Sequence, residues 1–246
     1  MSSPVKLGIV GLGRWAKVLT RAVRGKSGKL DIVAGFSRSQ ARRDEFHKEL
    51  GVPPAASMEA LLANPDIKGV ILTVPNEQHW PLAEMAAKAG KHVYTEKPIA
   101  QTLEDGLRIA ALESKYNITV TVGHSARLMA GIRIIKEHID RGDLGRVAFM
   151  EANFSNERAL ELTPQTWRWY KDRAPGGNLS QLCIHLFDVL HLQQSIRIHV
   201  SAPQIDLDHP LIGKPEVIQD DRPTRIVVDR QLDVGEHPVG VRVRHE

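Results

Sequence analysis

Short apolar runs alternate with longer amphipathic stretches along the first half of the chain, and that alternation predicts a parallel sheet covered by helices. Val5–Val10 is a β-branched run of the kind buried on both faces of a sheet. Residues 17–24 read as a helix, Leu30–Phe36 as a second strand, and Arg42 and Arg43 lie on the helix that follows. Met58–Ala63 gives a short helix and residues 69–74 a buried strand. An alanine-rich helix then runs to about Ala89, with Gly90 as its C-cap. The strand His92–Thr95, the helix Leu103–Tyr116 and a strand at 118–122 complete the pattern. The expected class is α/β, a doubly wound parallel sheet over residues 1–123. A smaller, shortened α+β domain is expected over 124–246.

Between the first strand and first helix lies Gly11-Leu12-Gly13-Arg14-Trp15-Ala16, the G-x-G-x-x-A form of a phosphate-binding turn. Gly11 permits the tight turn, Gly13 lets backbone approach a pyrophosphate, and Ala16 allows helix and strand to pack closely. This marks the sheet as a Rossmann-type dinucleotide-binding unit. The second strand ends in Ser37-Arg38, where NAD-preferring sites place a carboxylate for the ribose 2′-hydroxyl. Serine and arginine can hold a 2′-phosphate instead, so NADP is expected over NAD. The alternative is that Arg38 stacks on the adenine or faces solvent.

In such a sheet, ligands gather at the carboxyl ends of the strands. Thr73, Pro75, Asn76, Glu96 and Lys97 fall along that edge, and with Arg14 and Trp15 of the turn they are the expected cofactor contacts. His79, at a helix start, lies either near the nicotinamide or in a structural role. Pro98 rigidifies the turn after the fourth strand and can take the cis form. A desolvated lysine at position 97 could exchange a proton near neutrality; the plainer reading is a surface lysine at a strand end.

Composition narrows the field. The chain has 246 residues, enough for one large or two modest domains, and a formal charge of +4. That charge suits an anionic cofactor but is too small to argue for nucleic acid. The cluster Arg21, Arg24, Lys26 and Lys29 reads as a solvated helix end, without the interleaved aromatics of single-strand binders. The single cysteine, Cys183, excludes an intramolecular disulfide. No metal-ligand spacing, long apolar span or signal peptide is read, so a cytoplasmic protein without membrane or nucleic-acid partners is expected.

Four stretches resemble the Gfo/Idh/MocA oxidoreductases, the family of glucose-fructose oxidoreductase and the inositol dehydrogenases: GLGRWA at 11–16, VPNEQH at 74–79, AGKHVYTEKPIA at 89–100 and PGGNLSQLCIHLFD at 175–188. The likeness extends over roughly residues 4–192. It implies a nicotinamide enzyme acting on sugars, polyols or related hydroxyl and carbonyl compounds. It implies Lys97 as the proton-transfer residue and His185 as the active-site histidine. Many members have aspartate where this chain has Gln181, which cannot take a proton, so more of the burden falls on Lys97. Gln181 and His185 are expected on one face of a helix over 178–192, with Asp188 either orienting the imidazole or solvated. Arg127, Asn153, Trp167 and Arg168 are further substrate-binding candidates, although the tryptophans also suit a core.

Beyond Leu192 no aromatic residue occurs, and closely spaced Pro and Asp argue against a large packed unit. Alternation at 224–228 and 239–244 allows one or two short strands. The resemblance implies a larger, mostly antiparallel second domain that supports the substrate pocket and the subunit interface. This tail is therefore expected to supply only a shortened version, with homo-oligomer formation left open. Three readings remain: an oxidoreductase, a non-catalytic dinucleotide-binding regulator or inactive relative, and a structural or assembly subunit.

Overall fold

Consecutive apolar residues on a strand point to opposite faces, so a run such as Ile9-Val10 can be satisfied only by a sheet covered on both sides. The computed structural model, which describes residues 3–154, 162–177 and 179–193 and the backbone of 225–228 and 242–243, has that arrangement. Strands β1 (Val5–Val10), β2 (Leu30–Phe36), β3 (Gly69–Leu72), β4 (His92–Thr95) and β5 (Val120–Val122) form one parallel sheet in the order β2-β1-β3-β4-β5. Helices α1 (Arg14–Val23), α2 (Gln40–Leu50), α3 (Met58–Ala63), α4 (His79–Lys88) and α5 (Leu103–Tyr116) connect the strands.

Val10, Val70, Leu72 and Val93 bury one face against Leu61, Ala83, Ala86, Ile109 and Leu112. Ile9, Ile32 and Ile71 bury the other against Leu12, Ala16 and Phe46. Each large side chain of this kind contributes about 1.5–3 kcal/mol. The exposed ion pairs of Lys17 with Glu45 and of Arg21 with Glu49 across α1 and α2 contribute about 0–1 kcal/mol each, so burial decides the fold. Arg24, read as part of a solvated basic cluster, instead donates to the carbonyls of Ile32 at 2.6 Å and Gly51 at 3.0 Å.

The element boundaries differ from the expected ones where local chemistry intervenes. Helix α1 starts at Arg14 rather than 17, because Gly13 serves as its N-cap. Strand β3 stops at Leu72 because the Thr73 hydroxyl turns back onto the carbonyls of Val10 at 3.1 Å and Gly11 at 2.7 Å. Strand β5 begins at Val120, after Asn117 ends α5 in the left-handed region with φ 53°.

Packing divides the chain into Met1–His124 with Leu162–Gln181, and Ser125–Glu161 with Leu182–Glu246. In the first unit the segment after Leu162 lies along the carboxyl edge of the sheet. Arg173 pairs with Glu77 at 2.8 Å, and Gln101 donates to the carbonyl of Asp172.

The second unit contains α6 (Ala130–Asp140), β6 (Phe149–Ala152), α7 (Ile184–Gln193), β7 (Arg225–Val228) and β8 (Arg242–Val243). Its sheet runs β6-β7-β8, parallel then antiparallel. Gln193, nearly buried, ties α7 to α6 by donating to the carbonyl of Ile132 at 2.8 Å. The two tail strands fall within the stretches expected from alternation; the rest of 194–246 lies outside the described residues.

Candidate active site

The chain passes from β1 to β2 on one side and returns to β3 on the other, so the crevice of this sheet opens beyond the carboxyl ends of β1 and β3. Gly11 occupies that point with φ 92°, and a Cβ there would stand 2.8 Å from the Thr73 carbonyl. Only glycine fits. Two residues on, a Cβ at Gly13 would meet nothing within 4 Å. No side chain caps α1 and no acid lies in its first turn, which leaves its N-terminal N–H groups facing that open space. A bare helix start beside an unobstructed glycine is what a diphosphate requires, so the residues present fit a dinucleotide.

The carboxylate of Glu96 accepts from the Tyr94 hydroxyl at 3.2 Å, and Trp15, on the first turn of α1, favours its charged form. Glu96 is 8% exposed. Burial raises its pKa above the ordinary carboxylate value, against the opposing pull of Trp15, Tyr94 and Lys97. The same burial, with Glu96 beside it, pushes the Tyr94 phenol upward. Gly123 admits this group: a Cβ there would lie 2.5 Å from the Tyr94 hydroxyl and 2.8 Å from Glu96. Tyr94 was missed in the sequence, although its position two residues before Glu96 places both on one strand face.

Lys97 follows on a cis Lys97–Pro98 peptide, half-buried, and donates to the Gln181 carbonyl at 2.6 Å. Arg168 donates from Nε to the Gln181 side-chain oxygen at 3.2 Å and stacks over Trp167, 4.5 Å from the ring centroid. Lys97, Arg168 and Gln181 thus come together within the first unit. His79 is 1% exposed: its Nδ1 lies 3.0 Å from the Pro98 carbonyl and 3.3 Å from that of Ile99, and its Nε2 lies 3.2 Å from that of Val74. Of the two roles open for it in the sequence, the geometry is that of a strut beneath the Lys97–Pro98 turn. Asn76 is buried nearby, and Pro75 begins the short turn that leads into α4.

At the end of β2 the Ser37 carbonyl accepts from Arg43, whose guanidinium also lies over Phe36. Arg38 and Arg14 are exposed. Ser39 caps α2 by accepting from the Arg42 N–H at 3.4 Å.

The remaining candidates belong to the second unit. Arg127 grips Asp188 with Nε at 2.9 Å and with Nη2, so the charge of Asp188 is spent on an arginine. His185 lies edge-on to Phe154, with ring centroids 6.3 Å apart, and exposed Asn153 follows β6. The continuous α-helix expected over 178–192 is instead a π turn at Leu179–Cys183 followed by α7. Among the described residues no group of three metal-ligating side chains occurs, and no helix is long and apolar enough to cross a membrane.

A parallel sheet with this glycine turn at its switch point defines a dinucleotide-binding domain. Residues 5–124 match the model of the oxidoreductase family with an NAD-binding Rossmann fold, and 132–202 match the GFO/IDH/MocA C-terminal domain. The chain belongs to the Gfo/Idh/MocA oxidoreductase family. It is 31% identical over 198 residues to 1-carboxy-3-chloro-3,4-dihydroxycyclohexa-1,5-diene dehydrogenase of Comamonas testosteroni, covering 79% of this chain and 48% of the relative. A solved structure from Desulfitobacterium hafniense, proposed to be an NADPH-dependent oxidoreductase, is 41% identical with a TM-score of 0.73, covering 78% of this chain and 56% of that one. Scyllo-inositol dehydrogenase of Lactobacillus casei, solved with NAD(H) and scyllo-inositol, is 26% identical with a TM-score of 0.68, covering 78% and 56%. The chain spans about half the length of these proteins.

Proposed function

We propose that this protein is an NADP-preferring oxidoreductase that transfers a hydride between the nicotinamide and a hydroxyl or carbonyl carbon of a sugar, polyol or related ring compound. The observation that carries the proposal is the shared carboxyl edge: the Thr73 hydroxyl donates to the Gly11 carbonyl at 2.7 Å and the Glu96 N–H to the Leu72 carbonyl at 3.0 Å, which ties the diphosphate turn to the residue next to Lys97. The amine of Lys97 is thereby associated with the cofactor end of the sheet rather than a remote edge.

When bound, the nicotinamide supplies or accepts the hydride. Lys97 handles the proton: its ammonium gives one to the carbonyl oxygen in reduction, and its amine takes one from the hydroxyl in oxidation. Gly11, Gly13 and the start of α1 hold the diphosphate, and Ser37 and Arg38 receive the 2′-phosphate. Gln181 and Arg168 orient substrate oxygens. For His185, the family motif assigns a hydrogen bond to the reacting oxygen. Arg127 and Asn153 are further substrate-side candidates.

The relatives support the substrate class: one is named for a dihydroxylated ring, and another was solved with a cyclic polyol. The deciding experiment follows NADPH oxidation and NADP+ reduction over a panel of sugars, keto-sugars and cyclic polyols. Lys97→Ala is expected to lower turnover by about 10²–10⁴-fold with dinucleotide affinity retained. Dinucleotide binding with no turnover on any substrate would favour a regulator instead.

A further inference from the structure

Among the described residues, Arg168 is a cation without an acid. Its Nε is fixed on the Gln181 side-chain oxygen and its plane on the Trp167 ring, so the two Nη groups are held in one orientation. Among the described residues no carboxylate pairs with it. The neighbouring arginines differ: Arg173 has Glu77 and Arg127 has Asp188. Although Arg168 is exposed as a residue, the protein around its guanidinium is dense enough to push its pKa down by desolvation, with no acid opposing.

Gln181 supplies an independent observation. Its carbonyl accepts from Lys97 at 2.6 Å and its side-chain oxygen from Arg168, which fixes the amide orientation. The Nε2 group is then left buried with no hydrogen-bond partner among the described residues. An unsatisfied buried donor costs about 1–3 kcal/mol, which an incoming oxygen acceptor would recover. Two cations meet on one residue, beside a donor in want of an oxygen. A neutral sugar would leave the guanidinium without a counter-charge; an anion would supply both the charge and the oxygens.

We propose that the substrate carries an anionic group, a carboxylate or a phosphate ester, seated on the Nη groups of Arg168 with an oxygen within reach of Gln181 Nε2. This rests on the oxidoreductase reading for the identity of the molecule, but its test does not depend on turnover.

Trp167 is a built-in reporter, since anything that binds the stacked guanidinium alters its emission. Tryptophan fluorescence of the full chain is titrated with D-glucuronate, D-glucose 6-phosphate and D-glucose, with Trp167→Phe identifying the signal. The expected result is saturable binding of at least one of the two anions, roughly tenfold or more tighter than glucose. The carboxylate and phosphate arms show which anion is preferred. Arg168→Gln is expected to lose that preference, and Arg168→Lys to retain part of it because the charge remains while the fork is lost. Equal binding of glucose, undiminished anion binding by Arg168→Gln, or no anion binding at all overturns the proposal. Hydride transfer is read separately from NADPH absorbance, so failure there counts against the oxidoreductase reading alone.

Discussion

The Tyr94 hydroxyl donates to the carboxylate of Glu96 at 3.2 Å, just past the end of β4. A carboxylate that accepts from a phenol and has an indole and an ammonium favouring its charge, yet is pushed upward, is one whose hydration loss outweighs its partners. A raised folded-state value means that the folded protein holds this proton more tightly than the unfolded chain. Stability from this residue is therefore greatest below the unfolded value of 4.5 and is lost as pH rises through the folded value. Glu96→Gln keeps an acceptor oxygen for Tyr94 without the charge. Thermal melts are expected to place the variant roughly a few degrees above wild type at pH 7 to 8 and level with it below about pH 4. A variant less stable at every pH would show that the carboxylate is favourable here.

The glycines of the turn separate folding from binding. At Gly11 a Cβ meets backbone at 2.8 Å in a left-handed conformation, so Gly11→Ala is expected to cost about 2 kcal/mol or more in a denaturant melt. At Gly13 the space is open and φ is −88°. Gly13→Val is expected to stay within about 1 kcal/mol of wild type while weakening NADPH about tenfold or more, because the new side chain occupies the path of the diphosphate. Comparable melting losses for the two variants would refute the distinction.

Arg38 tests the cofactor preference. It is exposed, while its neighbour Arg43 is engaged by Ser37 and Phe36. Arg38→Ala is expected to weaken NADPH by about tenfold, from the loss of a charge-assisted contact, and to leave NADH within about twofold. Fluorescence titration of both nucleotides reads this directly. Equal loss for both would place Arg38 on the adenine face, and no loss would place it in solvent.

Much of the first unit was legible because a parallel strand buried on both faces leaves an unbroken apolar signature, as in Gly69–Leu72. The Gly11–Ala16 turn was legible because its backbone tolerates few side chains. What escaped were relationships at long separation. That residues 162–181 pack with the dinucleotide unit depends on Arg173–Glu77 and Lys97–Gln181, 96 and 84 residues apart, which no periodicity encodes. The π turn at Leu179–Cys183 has the same composition as an α-helix, so spacing alone does not reveal it.

His79 gives the pH argument with the opposite sign. Burial depresses its pKa below the ordinary 6.5, against the carbonyls of Val74, Pro98 and Ile99, which favour the protonated ring. The unfolded chain then binds the proton more readily, so stability is fully present above 6.5 and is lost as pH falls through that value toward the folded one. His79→Gln removes this titration and keeps one donor for the carbonyls. It is expected to lose about 1–3 kcal/mol at pH 7.5, from poorer satisfaction of those carbonyls, and to lose less ground than wild type between pH 6.5 and 5. Because Glu96 pulls stability the other way and partly offsets His79 in wild type, Glu96→Gln alone should steepen the loss of stability at acid pH, and the His79→Gln, Glu96→Gln double variant should show a flatter profile than Glu96→Gln. A double variant as steep as Glu96→Gln would mean that other histidines, not this strut, set the acid sensitivity of the fold.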